Sequence, residues 1–324
     1  MGISKIGLIT SGGDAPGMNA CTRAVVRTAL KHEMEVFGYW RGYHGLVTGD
    51  YVTLKRFAVS NIVQSGGSIL ISSRSKEFMT PEGRRKAADN LAQQGVQGLI
   101  VIGGNGSLTG AHLLNQETDI KVVGIPGTID RDIYGTEQTI GFDTAVNTAL
   151  DAIDKIRDTA SAMERVFIIE VMGRDCGEIA LYAGVAGGAD AVLVPEISTD
   201  IDKLIAEIKA GFEIGKKTNM IVVSEGDDSG GALKLSETLR SRGGIKSWVC
   251  ILGHIQRGGR PSARDRYYAT AFGVAAVEAL VDGIAGVMIG WDKGGGIKHV
   301  PLNKTYSNKK EYNAEIRKLL EAVA

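Results

Sequence analysis

Short apolar runs recur along the chain, and each is followed by glycines or polar residues and often by a stretch with helical character. Strands that alternate with helices in this way predict βαβ units and a mostly parallel sheet, so the fold class is predicted as α/β. Further helices are predicted over 144–162 and 309–324. The predicted strands are Ile6–Ile9, Gly98–Ile102, Val122–Ile125, Val166–Val171, Ala191–Val194, Met220–Val223 and Trp248–Leu252.

Glycines and polar side chains cluster directly after these predicted strands. The first strand runs into SGGDAPGMN, the second into GGNGS and the third into PGTID. Because ligands bind beyond the carboxyl ends of strands in open parallel sheets, the clusters are predicted to form a site. The alternative for any one cluster is that its glycines only close a tight turn. That alternative weakens where several clusters carry charged residues at the same topological place.

Length and composition narrow the function classes. A chain of 324 residues suits two α/β lobes. Lysine and arginine together number 37, as do aspartate and glutamate. This balance leaves no global positive field to hold nucleic acid or an anionic membrane, so neither is predicted as a partner. The N-terminal segment lacks an apolar signal core, and a cytoplasmic, soluble protein is predicted.

The three cysteines, Cys21, Cys176 and Cys250, are far apart in the sequence. Their number and spacing fit neither a zinc site nor a disulfide framework. We interpret them as three buried thiols in a reducing compartment.

Glycine loops at strand ends present backbone N–H groups to anions, so SGGDAPGMN and GGNGS predict phosphate-binding loops. No GxxxxGK[ST] motif occurs, and neither loop has GxGxxG spacing. A P-loop NTPase and a Rossmann dehydrogenase therefore lose their main support. A protein that binds a nicotinamide nucleotide on the same architecture stays as an alternative, against which the missing fingerprint argues.

Two carboxylates lie two positions apart in TIDRD, over 128–132. In an extended segment they face the same way, so one could accept a proton while the other orients the substrate or a metal. The alternative is a simple turn, which Asp favours. Candidate phosphate-binding cations are Arg74, Arg165, Arg174, His254 and Arg257. For each of them the alternative is an ordinary surface or core side chain. Together these residues predict a phosphate-handling α/β enzyme.

Four motifs carry a resemblance to a known family: TSGGDAPGMN from Thr10, PGTID from Pro126, EVMGRDCG from Glu170 and LGHIQRGG from Leu252. Along nearly its whole length the chain resembles the bacterial ATP-dependent 6-phosphofructokinases. The resemblance implies two similar three-layer α/β lobes with mostly parallel sheets, the phosphofructokinase fold, with the active site between them. It implies a nucleotide-binding lobe over 1–141 and 256–305, a sugar-phosphate-binding lobe over 142–255 and 306–324, and a homotetramer.

The same resemblance implies ATP-dependent phosphorylation of fructose 6-phosphate to fructose 1,6-bisphosphate in glycolysis, with Mg²⁺. Asp130 resembles the catalytic base, and Arg174 resembles the cation that steadies the transferring phosphoryl group. Thr128 lies beside the base, and Asp132 and Asn105 stand at magnesium-linked positions. The other sugar-phosphate contacts are Met172, Gly173, Glu225, His254, Arg257 and, reaching a neighbouring subunit's site, Arg165. The nucleotide contacts are Gly12, Arg74, Ser75, Gly104, Asn105, Gly106 and Ser107.

The resemblance also implies which phosphoryl donor the chain uses and where an allosteric effector binds. Pyrophosphate-using relatives usually carry Asp in place of Gly106 and Lys in place of Gly127, so the two glycines imply ATP. Ile214 stands where a lysine is common in the pocket for an ADP or phosphoenolpyruvate effector. The residues that match this effector pocket are Arg23, Arg27, Arg56, Arg157, Asp190, Lys216 and Lys217.

Several positions depart from the family pattern. Asn105 replaces an aspartate, Arg131 an asparagine, and Trp248 an arginine that binds the 6-phosphate; Ser75 and Met79 depart at nucleotide contacts. A lost charged hydrogen bond costs about 1.5–3 kcal/mol, or roughly 10- to 150-fold in affinity. Arg131 and Lys246 are candidate sources of replacement charge. Three hypotheses follow, in this order: an active kinase, a kinase with another sugar-phosphate acceptor, and a weakly active or non-catalytic regulatory subunit.

Overall fold

The computed structural model describes residues 2–163, 165–310 and 314–323, and in them strands alternate with helices. The strands are β1 Lys5–Ser11, β2 Glu35–Tyr39, β3 Tyr51–Thr53, β4 Gly98–Gly103, β5 Lys121–Thr128, β6 Ile140–Gly141, β7 Val166–Val171, β8 Ala191–Leu193, β9 Asn219–Ser224, β10 Ser247–Ile251, β11 Val287–Trp291 and β12 Ile297–Pro301. The helices are α1 Met18–Lys31, α2 Tyr43–Thr48, α3 Pro81–Gln93, α4 Asn105–Glu117, α5 Phe142–Met163, α6 Glu178–Ala186, α7 Ile201–Glu213, α8 Gly231–Gly243, α9 Ala263–Val281, α10 Lys304–Ser307 and α11 Ala314–Val323.

Each strand predicted from the sequence is present within a few residues of its expected bounds, whereas β2, β3, β6, β11 and β12 were not predicted. The helix predicted over 144–162 is α5, whose Ile153 is buried while Asp151 and Asp154 are exposed. Part of the predicted terminal helix forms α11, and 311–313 lie outside the described residues.

The chain divides into two compact units. Unit 1 comprises Met1–Asp143 and Arg257–Lys310, and unit 2 comprises Thr144–Gln256 and Glu311–Ala324. Their sheets differ in size, with eight strands against four in the described part of the chain.

Unit 1 is built on a sheet of order β3-β2-β1-β4-β5-β11-β12, with β6 paired to β5. Its central strands are parallel, and β3 and β12 close the edges antiparallel. Strands β1 and β4 are almost wholly buried because helices cover a parallel sheet, which explains their continuous apolar sequence. On one face α1 packs against α9, where a Cβ at Gly273 would lie 2.8 Å from Ala24 Cβ. Glycine therefore permits the close approach of these helices.

A topological switch point lies between β1 and β4. The chain leaves β1 for β2 on one side and returns to β4 on the other, so the connections after β1 and β4 diverge. The register pairs Ser11 with Gly103, which places the starts of SGGDAPGMN and GGNGS side by side. Such a crevice is where ligands bind in doubly wound sheets.

Unit 2 is built on a fully parallel sheet of order β10-β7-β9-β8. Its core includes Ile168 and Ile221 from the sheet together with Leu204 of α7 and Leu235 of α8. The segments after β7, β9 and β10 leave the same carboxyl edge of this sheet, because the three strands are parallel and in register.

The three cysteines differ in burial. Cys21 is buried, but Cys176 and Cys250 are partly exposed, so the prediction of three buried thiols is wrong for two of them. Cys176 lies in the loop after β7 and Cys250 on the edge strand β10, neither of which is fully covered.

None of the helices in the described part of the chain combines the length and the apolar character of a membrane span.

Candidate active site

The loop after β1 in unit 1 is held by a guanidinium group. Gly12 has a φ of 86°, in the left-handed region that glycine adopts without strain. A Cβ at Gly13 would lie 2.5 Å from Arg257 Nη1, and that nitrogen donates a hydrogen bond to the Asp14 carbonyl oxygen at 3.1 Å. Glycine at position 13 therefore makes room for Arg257, whose side chain is buried against the loop.

The loop after β4 forms the N-terminus of α4. A Cβ at Gly103 would lie 2.6 Å from the Ser11 carbonyl oxygen, so the two glycine loops touch. Ser107, in the first turn, is buried, and its carbonyl oxygen accepts a hydrogen bond from Tyr43 Oη at 2.6 Å. A Cβ at Gly106 would meet no atom of the described chain within 4 Å. The first turn of a long helix beside a glycine loop is an arrangement that binds phosphate.

The two carboxylates of TIDRD do not lie on an extended segment. Strand β5 ends at Thr128, whose Oγ1 accepts a hydrogen bond from the Asp130 N–H at 3.2 Å. Arg131 then adopts a φ of 54°, a left-handed conformation that is uncommon for a residue with a side chain. The prediction that Asp130 and Asp132 face the same way because the backbone is extended is therefore wrong. Asp130 is buried, while Asp132 is partly exposed.

Asp132 instead contacts the start of α4. Asn105 Nδ2 donates a hydrogen bond to Asp132 Oδ2 at 2.7 Å. The other amide atom, Asn105 Oδ1, is buried and has no hydrogen-bond partner among the described residues. A Cβ at Gly104 would lie 3.6 Å from Thr128 Cβ, so the end of β5 adjoins the glycine loop as well. Acidic and amide oxygens thus adjoin a candidate phosphate-binding turn.

Arg131, one candidate for replacement charge, contacts Glu137 and Phe142. Its Nε donates a hydrogen bond to the Glu137 carbonyl oxygen at 2.7 Å, and Nη2 lies 3.8 Å from Glu137 Oε2. The guanidinium carbon is 4.9 Å from the centre of the Phe142 ring. Lys246, the other candidate for replacement charge, is exposed at the amino end of β10 in unit 2.

The predicted nucleotide contacts near residue 74 lie on a strained segment beside β1. The Gly12 N–H donates a long hydrogen bond, 3.5 Å, to the Ser73 carbonyl oxygen. Ile71 has a φ of 56°, a conformation that costs free energy for a β-branched residue. Arg74 is exposed, whereas Ser75 Oγ accepts a hydrogen bond from the Phe78 N–H at 3.3 Å and so stabilises the following turn.

In unit 2 the carboxyl edge of the sheet brings several predicted sugar-phosphate residues together. Glu225 Oε1 accepts a hydrogen bond from the Arg174 N–H at 2.9 Å. Arg174 itself has a φ of 52°, and a Cβ at the preceding Gly173 would lie 2.3 Å from the Cys176 carbonyl oxygen. His254 is exposed in the short 3₁₀ turn that follows β10.

Two residues at this edge were missed as candidates. Gln256 Oε1 accepts a hydrogen bond from the Met172 N–H at 2.9 Å, and Gln256 Nε2 is buried without a partner in the described residues. Ser224 Oγ, at the end of β9, is likewise buried and makes no hydrogen bond to any described residue. Buried polar atoms that the protein leaves unsatisfied are suited to a ligand or an ordered water. A polar residue that closes an apolar run, as Ser224 does, is the signal that could have identified it.

Arg165 lies at the opposite, amino edge of the same sheet. It immediately precedes β7, seven residues before Met172, which corresponds to about 20 Å along a strand. Within unit 2 the structure therefore does not bring Arg165 to Arg174, Glu225 and His254. The side chain beside it is Trp248, whose ring centre lies 4.0 Å from the guanidinium carbon.

The predicted effector residues of unit 2 gather at this amino edge too. Lys216 Nζ lies 2.7 Å from Asp190 Oδ1, and Asp190 Oδ2 accepts a hydrogen bond from the Met220 N–H at 2.6 Å. Arg157 Nη2 donates to the carbonyl oxygens of Gly187 and, at 2.7 Å, of Gly188. Lys217 is exposed next to this cluster in the sequence.

The remaining effector residues belong to unit 1. Arg23 and Arg27 lie one turn apart on α1, and Arg56 is exposed in the loop after β3. Burial, and then the neighbouring charge of Arg27, lower the pKa of Arg23 below its usual value. Arg27 Nε is buried without a hydrogen-bond partner in the part of the chain that the structure describes. A pair of like charges held this closely favours the binding of an anion.

Curated relatives match the chain from end to end. It is 48% identical over 326 residues to ATP-dependent 6-phosphofructokinase 2 of Bacteroides thetaiotaomicron, covering 100% of both chains. It is 51% identical over 323 residues to ATP-dependent 6-phosphofructokinase 1 of Thermus thermophilus, covering 99% of this chain and 100% of that one.

Solved structures match as well. Phosphofructokinase from Saccharomyces cerevisiae aligns with a TM-score of 0.87 and 36% identity over 94% of this chain, which spans only 45% of the yeast chain. A pyrophosphate-dependent phosphofructokinase from Marinobacter aquaeolei aligns with a TM-score of 0.87 at 23% identity, covering 99% of this chain and 91% of that one. These likenesses confirm the predicted α/β phosphofructokinase fold. The sequence profile described as Phosphofructokinase matches residues 5–280, and the chain therefore belongs to the phosphofructokinase family.

Proposed function

We propose that the chain transfers the γ-phosphoryl group of ATP to fructose 6-phosphate and so forms fructose 1,6-bisphosphate, a step of glycolysis that runs in the cytoplasm. The observation that carries this proposal is the junction of the two glycine loops with Thr128 and Asp132 at the carboxyl ends of β1, β4 and β5. Full-length relatives that are named ATP-dependent 6-phosphofructokinases support the choice of reaction. Unit 1 would bind the nucleotide and unit 2 the sugar phosphate.

In phosphoryl transfer the protein mainly positions the substrates and neutralises charge. Asp130 accepts the proton of the sugar 1-hydroxyl as general base. Arg174 neutralises charge that develops on the transferring phosphoryl group. The hydrogen bond from the Arg174 N–H to Glu225 fixes the backbone that carries this cation. Met172, Gly173 and His254 contact the sugar phosphate beside it, and Arg257 contacts it while also anchoring the glycine loop.

The residues at the start of α4 fit Mg²⁺. Asn105 Oδ1 is a buried oxygen that lacks a partner in the described chain, and the Asp132 carboxylate lies beside it. No group of three or more His, Cys, Asp or Glu side chains in the described part of the chain is arranged to hold a metal. This suits Mg²⁺, which proteins bind through one or two oxygens while substrate phosphates supply others. When bound, the ion would neutralise phosphate charge.

The two glycines that imply ATP have different surroundings. Gly106 faces open space, which leaves room for a nucleotide beside Ser107 and Gly12. At Gly127 a Cβ would lie 3.0 Å from Ile102 Cγ2 and 3.1 Å from Met18 Cε. A lysine there would have to displace buried side chains, which supports ATP rather than pyrophosphate as donor.

The position of Arg165, a predicted ligand of the 6-phosphate, bears on the oligomeric state. Arg165 lies at the other edge of the unit 2 sheet from Arg174, so we propose that it serves the site of a neighbouring subunit in a homotetramer. An ADP or phosphoenolpyruvate effector would bind the cations Arg23 and Arg27 of α1 in unit 1 and, in unit 2, the cluster around Asp190 and Lys216.

Steady-state formation of fructose 1,6-bisphosphate tests the proposal. The purified chain receives Mg²⁺ and fructose 6-phosphate with ATP or, separately, pyrophosphate. We expect turnover with ATP, lost in Asp130→Asn and kept in Asp89→Asn, which changes an exposed aspartate of α3. Folded wild-type protein that turns over neither donor would contradict the proposal. Activity with another sugar phosphate only would establish the alternative acceptor that Trp248 motivates.

A further inference from the structure

We infer that Trp248 is a positioning residue whose indole ring holds the Arg165 guanidinium in the orientation that binds the sugar 6-phosphate. This inference rests on the proposed function. The guanidinium carbon lies 4.0 Å from the centre of the Trp248 ring, well inside the range of about 6 Å at which a cation is attracted to an aromatic face. Tryptophan is the aromatic side chain that attracts cations most strongly.

The sheet sets this geometry. Trp248 and Phe167 are register partners on the parallel strands β10 and β7, and Arg165 precedes β7 by one residue. The rings of Phe167 and Trp248 are 6.2 Å apart, so Phe167 supports one side of the indole. Trp248 is 39% exposed, which leaves the pair open to solvent and to a phosphate.

A guanidinium that stacks through its face keeps its N–H donors at the rim. Those donors form a planar fork, which binds phosphate through two parallel hydrogen bonds. Trp248 therefore adds no charge to the grip, but it limits the rotation of the arginine that does. At position 248 the family usually has an arginine, and this chain has tryptophan. The substitution removes that charge, but it also gives Arg165 an aromatic ring that holds its guanidinium in place.

A double-mutant cycle tests the inference in the full-length protein. Trp248→Leu should raise KM for fructose 6-phosphate about 2- to 30-fold, while kcat and KM for ATP stay within about twofold. Trp248→Phe should raise KM less, because it keeps an aromatic face. Arg165→Met should raise KM further, and adding Trp248→Leu to it should have no additional effect. Trp40→Phe in unit 1 controls for the loss of an indole elsewhere.

Tryptophan fluorescence gives a readout that does not need turnover. The difference between wild-type and Trp248→Phe emission isolates Trp248, and fructose 6-phosphate should change it in wild type but not in Arg165→Met. Additive effects of the two substitutions on KM, or a Trp248 signal that ignores the sugar phosphate in folded protein, would overturn the inference. An active wild type with additive effects contradicts this inference alone, whereas an inactive wild type contradicts the proposed function.

Discussion

Asn105 Nδ2 donates a hydrogen bond to Asp132 Oδ2 across 2.7 Å, which joins the first turn of α4 to the segment after β5. An amide at position 105 satisfies the carboxylate and adds no second negative charge. The carboxylate thus has a stabilising partner without a metal, and Asn105 Oδ1 keeps its capacity to accept. The expected consequence is a folded site before any cation binds.

Replacing Asn105 by aspartate should couple stability to Mg²⁺. In Asn105→Asp two carboxylates would lie in contact, so we expect the free energy of unfolding without divalent cations to fall by about 1–3 kcal/mol. Mg²⁺ should raise the Tm of this variant more than that of wild type, and half-maximal activity should need less Mg²⁺.

Asn105→Ala is the matched control, because it removes the hydrogen bond without adding charge. Its Tm should fall without a larger response to Mg²⁺. Equal Mg²⁺ responses in wild type, Asn105→Asp and Asn105→Ala, measured by thermal unfolding, would show that the ion does not bind here.

Removing the base should affect the chemical step. Asp130→Asn keeps the shape of a buried side chain but cannot accept the hydroxyl proton, so kcat should fall about 10²- to 10⁴-fold. KM for ATP should change by less than about twofold. Initial rates over a range of both substrates measure these constants, and a kcat close to that of wild type would exclude Asp130 as base.

The two glycines near the nucleotide loops should respond oppositely to alanine. Gly127→Ala would place a methyl group 3.0 Å from Ile102 Cγ2 in a packed interior, which should cost about 1–3 kcal/mol of unfolding free energy. Gly106→Ala has open space, and its backbone is in a conformation that alanine accepts, so it should stabilise by about 0.4–1 kcal/mol. Urea denaturation of the pair measures both. A destabilised Gly106→Ala would mean that the space beside the first turn of α4 is filled.

The ion pair between Arg84 and Glu117 should make unit 1 sensitive to acid. Arg84 Nε and Nη2 donate to the two carboxylate oxygens of Glu117 at 2.6 and 2.8 Å, and the Arg84 side chain is only 7% exposed. The hydrogen bond from Arg84 lowers the pKa of Glu117, although burial opposes the shift. Because the folded-state pKa lies below the unfolded one, the pair stabilises the protein above the unfolded pKa. That contribution is lost as pH falls through the folded pKa.

Glu117→Gln should therefore lower the free energy of unfolding by about 1–2 kcal/mol at neutral pH, and by progressively less in acid. This figure is kept small because the Glu117 side chain is 36% exposed and solvent screens the pair. Glu77→Gln removes an exposed pair with Lys86 and should cost less than about 1 kcal/mol at any pH. Urea denaturation at several pH values compares them. A pH-independent cost of Glu117→Gln would show that packing, not charge, explains it.

The amino-acid sequence by itself predicted most of the helices and strands and the place of the candidate site. Apolar runs such as Gly98–Ile102 mark buried parallel strands because helices cover both faces of such a sheet, and this is a property of local composition. The glycine clusters marked the carboxyl ends of those strands for the same local reason, since a sharp turn requires glycine. The edge strands β3 and β12 were missed because their sequences are partly polar, and β6 was missed because it has only two residues.

Only the tertiary structure decided which side chains meet. Asn105 and Asp132 are 27 positions apart in the sequence, and they meet because β4 and β5 are neighbours in the sheet. The left-handed turn at Arg131 overturned the extended geometry predicted for TIDRD and turned the arginine toward Glu137. Trp248 and Arg165 come together through the register of β10 and β7. Strand order, register and backbone handedness are set by packing of the whole chain, so a local pattern does not encode these contacts.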